Sequence, residues 1–302
     1  MPDSQSTAAN RFLTRFAAIA LAAGLAGGAP RAMAGTGDAD QQSKPAGIAI
    51  SRTDYKQQLK RDQAVAISNP FGNVSVRFGG FEHLAETHAV LQEPAGAAHI
   101  EIKSKMLADG SYQIAAEIPG GGLAVEGQRV DLSLLLPEGH ALAIRTDRGG
   151  VDVRGVHGNV DVNSIAGDIA LRGIRGVIRA ETGGGTIQAS LGTAPRGAEQ
   201  RLSTTTGEIQ VGLDDNFDGE LELATSALFA TDYSLDVIRH PGEEPNKIAH
   251  ALIGARASKL SLLSRRGQIS LLRRAPFSAP GAPPSAAGAE RDEQEQEESD
   301  SD

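Results

Sequence analysis

The sequence predicts an all-β fold, a single-domain β-solenoid wound from strand-and-turn units of about nine residues, roughly eighteen per coil. Three observations predict it. Glycine returns every nine residues between Gly149 and Gly185. Behind each glycine, aliphatic residues alternate with mostly polar ones. The chain holds no cysteine, so packing alone must stabilise it.

The units start at Gly149, Gly158, Gly167, Gly176 and Gly185. Their third positions are Val151, Val160, Ile169, Ile178 and Ile187, the predicted core. Fifth positions are Val153, Val162, Leu171, Ala180 and Ala189. Between them lie Asp152, Asp161, Ala170, Arg179 and Gln188. Alternation of this kind belongs to a strand with one buried face. A helix needs apolar residues three and four apart, and each glycine would cost it about 1 kcal/mol. At the corners glycine is expected to supply positive φ and room to turn. One unit buries too little to fold alone, so units must stack. Val151, Ile169 and Ile187 then form one interior column, and Val160 with Ile178 another, in coils about 4.8 Å apart.

The beat extends outward less regularly. His140–Ile144 (HALAI) is a unit lacking its glycine. Gly207–Val211 (GEIQV) starts 22 residues after Gly185, placing four extra residues in a loop within Gly192–Gln200 (GTAPRGAEQ). Gly72–Val76, Gly219–Leu223 and Gly267–Leu271 repeat the theme. Between Thr225 and Leu260 the pattern lapses around His240-Pro241-Gly242, which predicts an excursion or a longer coil.

Arg11 and Arg15, the apolar run Phe16–Ala26 and Ala32-Met33-Ala34 spell a secretory signal peptide, with cleavage expected after Ala34. The run is too short and too rich in alanine to make a good membrane span, so the processed chain is expected not to span the membrane. At the other end, Ala275–Gly288 is rich in Pro, Ala and Ser, and Glu290–Asp302 holds eight acids against one arginine. Such composition predicts disorder. The tail carries 1 − 8 = −7 of the net −9, leaving −9 − (−7) = −2 for everything else. No basic patch points to nucleic acid. The expected organisation is residues 1–34 signal peptide, 35–50 linker, 51–274 solenoid and 275–302 tail.

From about Tyr55 to Leu272 the succession resembles a bacterial family of β-strand-repeat proteins labelled as adhesins, a domain of unknown function. The resemblance rests on Val65–Val76 (VAISNPFGNVSV) and Val130–Gly150 (VDLSLLLPEGHALAIRTDRGG), followed by the glycine units. Thr231–Leu235 (TDYSL) and Ile253–Leu271 (IGARASKLSLLSRRGQISL) close it. It implies a β-solenoid envelope protein and carries over no catalytic residue.

The residues themselves give no catalytic, cofactor or metal assignment. The seven histidines lack H-E-x-x-H or H-x-H spacing. His83 and His88, beside Glu82 and Glu86, are the nearest approach to a ligand pair. Calcium-binding nonapeptides need an Asp in every corner, and Asp168 has no counterpart at 150, 159, 177 or 186. Ser203–Thr206 lacks a nucleophile-elbow setting, and Gly120–Gly122 and Gly183–Gly185 lack the lysine and helix of a phosphate loop. Outward positions offer one feature, Arg154 and Arg172 as like-charged neighbours, a candidate contact for an anion or glycan.

The expected role is therefore a non-enzymatic scaffold or adhesin-like binding surface, exported to the periplasm, cell surface or medium, with an envelope protein or glycan as partner. Two alternatives stand beside it: a polysaccharide-binding or polysaccharide-degrading β-helix, and an envelope sensor whose acidic tail engages a partner.

Overall fold

The computed structural model describes residues 47–273, which hold strands and turns and no helix. The signal peptide with its cleavage site, most of the linker and the acidic tail lie outside the described residues. In chain order the first strands are β1 (Ile48–Gln58), β2 (Val65–Asn69), β3 (Val74–Phe78) and β4 (Leu84–Pro94). They are followed by β5 (Glu101–Met106), β6 (Tyr112–Glu117) and β7 (Arg129–Leu136). The central strands are β8 (Leu142–Thr146), β9 (Val151–Arg154), β10 (Val160–Ser164) and β11 (Ile169–Arg172). β12 (Ile178–Thr182), β13 (Ile187–Leu191), β14 (Glu199–Thr204) and β15 (Ile209–Leu213) continue them. The last are β16 (Gly219–Thr225), β17 (Phe229–Thr231), β18 (Asp236–Arg239), β19 (Lys247–Ile253), β20 (Ser258–Ser264) and β21 (Ile269–Arg273). β1 thus begins inside the stretch expected as linker.

The strands form two open, mixed sheets. Sheet A runs β1–β4–β7–β3–β9–β11–β13–β15–β21–β17, and sheet B runs β18–β19–β16–β20–β14–β12–β10–β8–β2–β6–β5. From β8 to β15 the chain visits B and A alternately, and all pairing among these strands is parallel. Val151 faces Ile169, which faces Ile187, each eighteen residues on (169 − 151 = 187 − 169 = 18). In sheet B Val160 likewise faces Ile178. Ile187 then faces Ile209, twenty-two on (209 − 187 = 22), because the loop before β14 absorbs four residues without disturbing the register. Val74, Val151, Ile169, Ile187, Ile209 and Ile269 make one column in sheet A, each at most 2% exposed. Burying one such side chain contributes about 1.5–3 kcal/mol.

The corner glycines serve a different purpose from the expected one. Gly149, Gly158, Gly167, Gly176 and Gly185 do not adopt positive φ; Gly155 and Gly173, at the neighbouring corners, do, at 69° and 62°. A Cβ on Gly167 would lie 2.0 Å from the carbonyl oxygen of Gly149, and one on Gly185 2.1 Å from that of Gly167. Gly149 stands likewise over Gly72, and Gly207 over Gly185, each at 1.8 Å. Glycine recurs because successive corners sit directly on one another, leaving no space for a side chain.

A column of hydroxyls ties these corners down. Thr182 Oγ1 donates to the Gly167 carbonyl (3.0 Å) and accepts from the Gly185 amide (3.2 Å). Thr204 and Ser264 repeat both bonds one and two layers on, and Ser164 accepts from the Gly167 amide at 2.8 Å. All four residues are buried. Buried polar groups are tolerated when paired in this way, and Thr204 thereby finds its place as a corner residue.

Both ends depart from the simple beat. β2 and β3 lie between β8–β9 and β6–β7, so the first parallel unit is one layer inside the stack. The last, β20–β21, is inserted between β14–β15 and the earlier strands β16–β17. β17, β18 and β19 form the excursion expected between Thr225 and Leu260. Antiparallel pairings β1–β4, β4–β7, β5–β6, β16–β19 and β18–β19 cover three of the four sheet ends, whereas sheet A finishes at its other end on the short β17, paired in parallel with β21. The nine-residue unit therefore accounts for the middle of the domain only. Exposed edges would template further strands, and the terminal β17 is only three residues long.

Candidate functional site

Side chains that alternate away from the core lie on the outer face of each sheet. On sheet A the step between paired strands brings Arg77 of β3 opposite Arg154 of β9, and Arg154 opposite Arg172 of β11. Three cations thus stand in one row, about 4.8 Å apart along the backbone. Arg77 was not apparent from sequence as a partner, because 77 residues separate it from Arg154 (154 − 77 = 77). Its signal lay in Gly72–Val76, the isolated upstream unit, whose next residue it is.

Asp152 joins two members of this row. Asp152 Oδ2 accepts from Arg77 at 2.9 Å and from Arg154 at 2.8 Å, while its Oδ1 accepts from Arg154 Nε at 3.1 Å. Arg77 also donates to the Asp152 backbone carbonyl at 2.9 Å. Arg77 and Arg154 remain 37% and 39% exposed. Burial, then the neighbouring Arg154 cation, holds Arg172 below the usual arginine range, with Arg77 adding and Asp152 opposing. Like charges directly opposite one another cost a sheet roughly 0.2–1 kcal/mol. The row therefore sets three guanidinium groups side by side on the outer face of sheet A, with Asp152 bonded to two of them.

Phe78, which follows Arg77 at the end of β3, has the opposite parity to the row and pairs with buried Leu136. Phe78, half exposed, stacks on His157 with centroids 4.9 Å apart and planes 19° from parallel. Its Cβ stands 3.3 Å from where a Cβ on Gly155 would sit, so the ring lies over the corner that follows Arg154. Glu138 holds the His157 Nδ1 at 3.1 Å.

Other candidates from the sequence have structural partners. His83 meets His140 rather than His88, Nδ1 to Nε2 at 3.0 Å, and buried His140 contacts the Gln63 carbonyl through Nδ1 at 2.8 Å. His88 pairs with Asp54 at 2.7 Å. Asp168 Oδ1 accepts from the Thr186 amide, eighteen residues on, at 2.7 Å. Asn159 does the same for Val177 at 2.9 Å. Among the described residues no three His, Asp or Glu side chains gather to hold a metal ion. Asp152 lies on sheet A and Asp161 on sheet B, so the two cannot act as a carboxylate pair. Burial raises the Asp161 carboxyl above its ordinary value, Glu181 adds to this, and Arg179 and Arg145 oppose it.

No protein-family model matches the chain, and no curated protein matches it. Solved structures that are similar to it include a candidate cell adhesion protein from Clostridium sporogenes, 12% identical over 74% of this chain and 100% of that one, with a TM-score of 0.42. A candidate adhesin from Bacteroides fragilis is 12% identical over 73% and 97%, with a TM-score of 0.28. Another from Parabacteroides merdae is 9% identical over 73% and 95%, with a TM-score of 0.30.

Proposed function

We propose that the chain is an exported, non-enzymatic β-solenoid of the cell envelope, winding at about eighteen residues per coil, whose outer sheet A face is an adhesin-like surface for acidic glycans. One observation carries this reading: the row Arg77–Arg154–Arg172 on parallel strands, with Asp152 fixing the first two guanidinium groups. Guanidinium groups take carboxylates through paired, charge-assisted hydrogen bonds. Binding is favoured over cleavage because Asp152, the acid at the site, is committed to two guanidinium groups. No helix among the described residues is long and apolar enough to cross a membrane. Residence in the periplasm or at the cell surface follows from the expected signal peptide.

Calorimetric titration with polygalacturonate and with a neutral galactan tests the ligand class. Polygalacturonate alone should bind, more weakly as salt rises. Arg154→Gln with Arg172→Gln should abolish the heat. Equal binding of both polymers would refute the reading, as would production of new reducing ends. Fractionation of cells producing the full chain tests its export.

A further inference from the structure

We infer that two copies of the chain join through β1, antiparallel across a two-fold axis at Thr53, so that sheet A continues from one protomer into the other. β1 is the last strand of sheet A, and among the described residues it pairs with β4 alone. Hydrogen-bonded pairs recur at every second residue of an antiparallel ladder. The Gly47 carbonyl accepts from the Ala95 amide at 3.1 Å, and the Leu59 amide donates to the His83 carbonyl at 2.9 Å. Both bonds continue the β1–β4 register, one at each end. Odd-numbered residues of β1 therefore bond to β4. The even-numbered ones from Ile48 to Lys56 turn their amides and carbonyls toward the open edge, where they form a template for another strand. Seven consecutive residues, Ile48 to Asp54, are exposed, so both sides of this half of the strand are bare. Natural edges are kept short or broken by proline. β1 runs for eleven residues without a proline, against six residues in β5, three in β17 and four in β18.

A second copy fits this edge because the strand complements itself. Full overlap of Ile48–Gln58 with its two-fold mate sets Thr53 opposite the partner's Thr53 and turns even-numbered residues toward even-numbered ones, so the open amides and carbonyls meet. In that register Arg52 stands opposite the partner's Asp54, and Asp54 opposite the partner's Arg52. Opposite charges directly across a ladder attract, and like charges repel. Exposed Ile50 falls opposite the partner's Lys56, whose aliphatic stem covers it. Sliding by two residues one way sets Arg52 against Arg52, and the other way sets Asp54 against Asp54 and Arg52 against Lys56. Sliding by one turns the outward face inward. Charge therefore selects the register that also uses the whole strand. Pairing about a two-fold axis consumes the edge of both copies and closes the assembly at a dimer. The axis stands normal to the sheet, so both outer faces, each with its arginine row, lie on one side. The dimer does not depend on what that row binds.

Sedimentation velocity of the full chain from about 1 to about 100 μM should show a monomer giving way to a dimer. Ile50→Pro removes an edge amide and no bond to β4, so it should keep the far-UV circular dichroism and leave a monomer. Arg52→Asp and Asp54→Arg should each weaken self-association about tenfold, and an equimolar mixture of the two should recover it as a heterodimer in which every facing charge is opposite. The chain holds no cysteine, so an introduced one reports alone. Thr53→Cys should form an intermolecular disulfide on mild oxidation, since facing residues there bring Cα atoms to about 4.5 Å. Ser51→Cys, about 14 Å from its mate, should not. Crosslinking of Ser51→Cys as readily as Thr53→Cys overturns the register. A dimer that survives Ile50→Pro with unchanged affinity overturns β1 as the interface. A chain that stays monomeric throughout overturns the proposal, and hydrogen-exchange protection of the even-numbered β1 amides in that monomer would assign the edge to another segment of the same chain.

Discussion

Replacing Gly167 by alanine separates two accounts of the nine-residue beat by the sign of one number. Gly167 does not adopt positive φ. If backbone freedom were the reason for glycine, alanine would be harmless or stabilising by about 0.4–1 kcal/mol, through the unfolded state. The structure predicts the opposite. The new Cβ would stand 2.0 Å from the Gly149 carbonyl oxygen and 2.9 Å from Ser164 Oγ, so the two corners must part by more than 1 Å (order of magnitude). Overpacking of this kind costs about 1–3 kcal/mol. Separation also strains the hydrogen bonds from the Gly167 amide to Ser164 and from Thr182 to the Gly167 carbonyl. Each is worth about 0.5–1.5 kcal/mol. A total of about 2–6 kcal/mol follows, lowering the melting temperature by roughly 4–24 °C for a domain of this size. Far-UV circular dichroism during thermal and urea unfolding measures it. Gly110→Ala is the control, since Gly110 has φ 83° and no atom within 4 Å of its Cβ position. It should lose only about 1–2 kcal/mol, from dihedral strain. A Gly167→Ala protein that melts at or above wild type refutes the close-approach argument.

Three further substitutions probe the core and its charges. Ile169→Asp puts an unpaired charge between buried neighbours and should prevent folding or cost more than about 4 kcal/mol; unchanged urea unfolding would contradict the column. Thr182→Val keeps the shape but leaves the Gly185 amide and Gly167 carbonyl short of a partner, so about 1–3 kcal/mol should be lost in the same assay. Asp161 has its carboxyl raised by burial, so it opposes folding at neutral pH, and that opposition fades as pH falls through its native value. Asp161→Asn should therefore be at least as stable as wild type at pH 7, with any advantage shrinking on acidification. An advantage that grows as pH falls would reverse the assigned direction.

What the sequence disclosed was the part governed by local rules. The columns through Val151, Ile169 and Ile187 were legible because alternation fixes which residues point inward and the period fixes which of them meet. The slip at Gly207 was legible too, since only a loop can take up extra residues without rotating the core face outward. Corner glycines were seen but misread: the dihedral explanation is local, whereas the contact with the preceding corner exists only after stacking. Arg77 and Phe78 escaped notice because their neighbours, Arg154 and His157, belong to units that follow many strands later. His140 looked like a unit missing its glycine, and its meeting with His83 depends on a turn far upstream. Insertion of β20–β21 between earlier strands leaves no periodic trace at all, because equivalent units compete for the same place and the ends decide among them.

Continuous-wave electron paramagnetic resonance on two doubly labelled chains tests the winding most directly. Ala170→Cys with Gln188→Cys marks positions eighteen apart in sequence and adjacent in sheet A, whereas Ala170→Cys with Arg179→Cys marks positions nine apart on different sheets. Strands in one sheet lie about 4.8 Å apart, and packed sheets about 10 Å apart with outer side chains directed away from each other. Strong dipolar broadening for the eighteen-residue pair and none for the nine-residue pair is the expected result. Broadening for the closer pair in sequence, with sharp lines for the other, would show that this polypeptide doubles back in hairpins instead of winding.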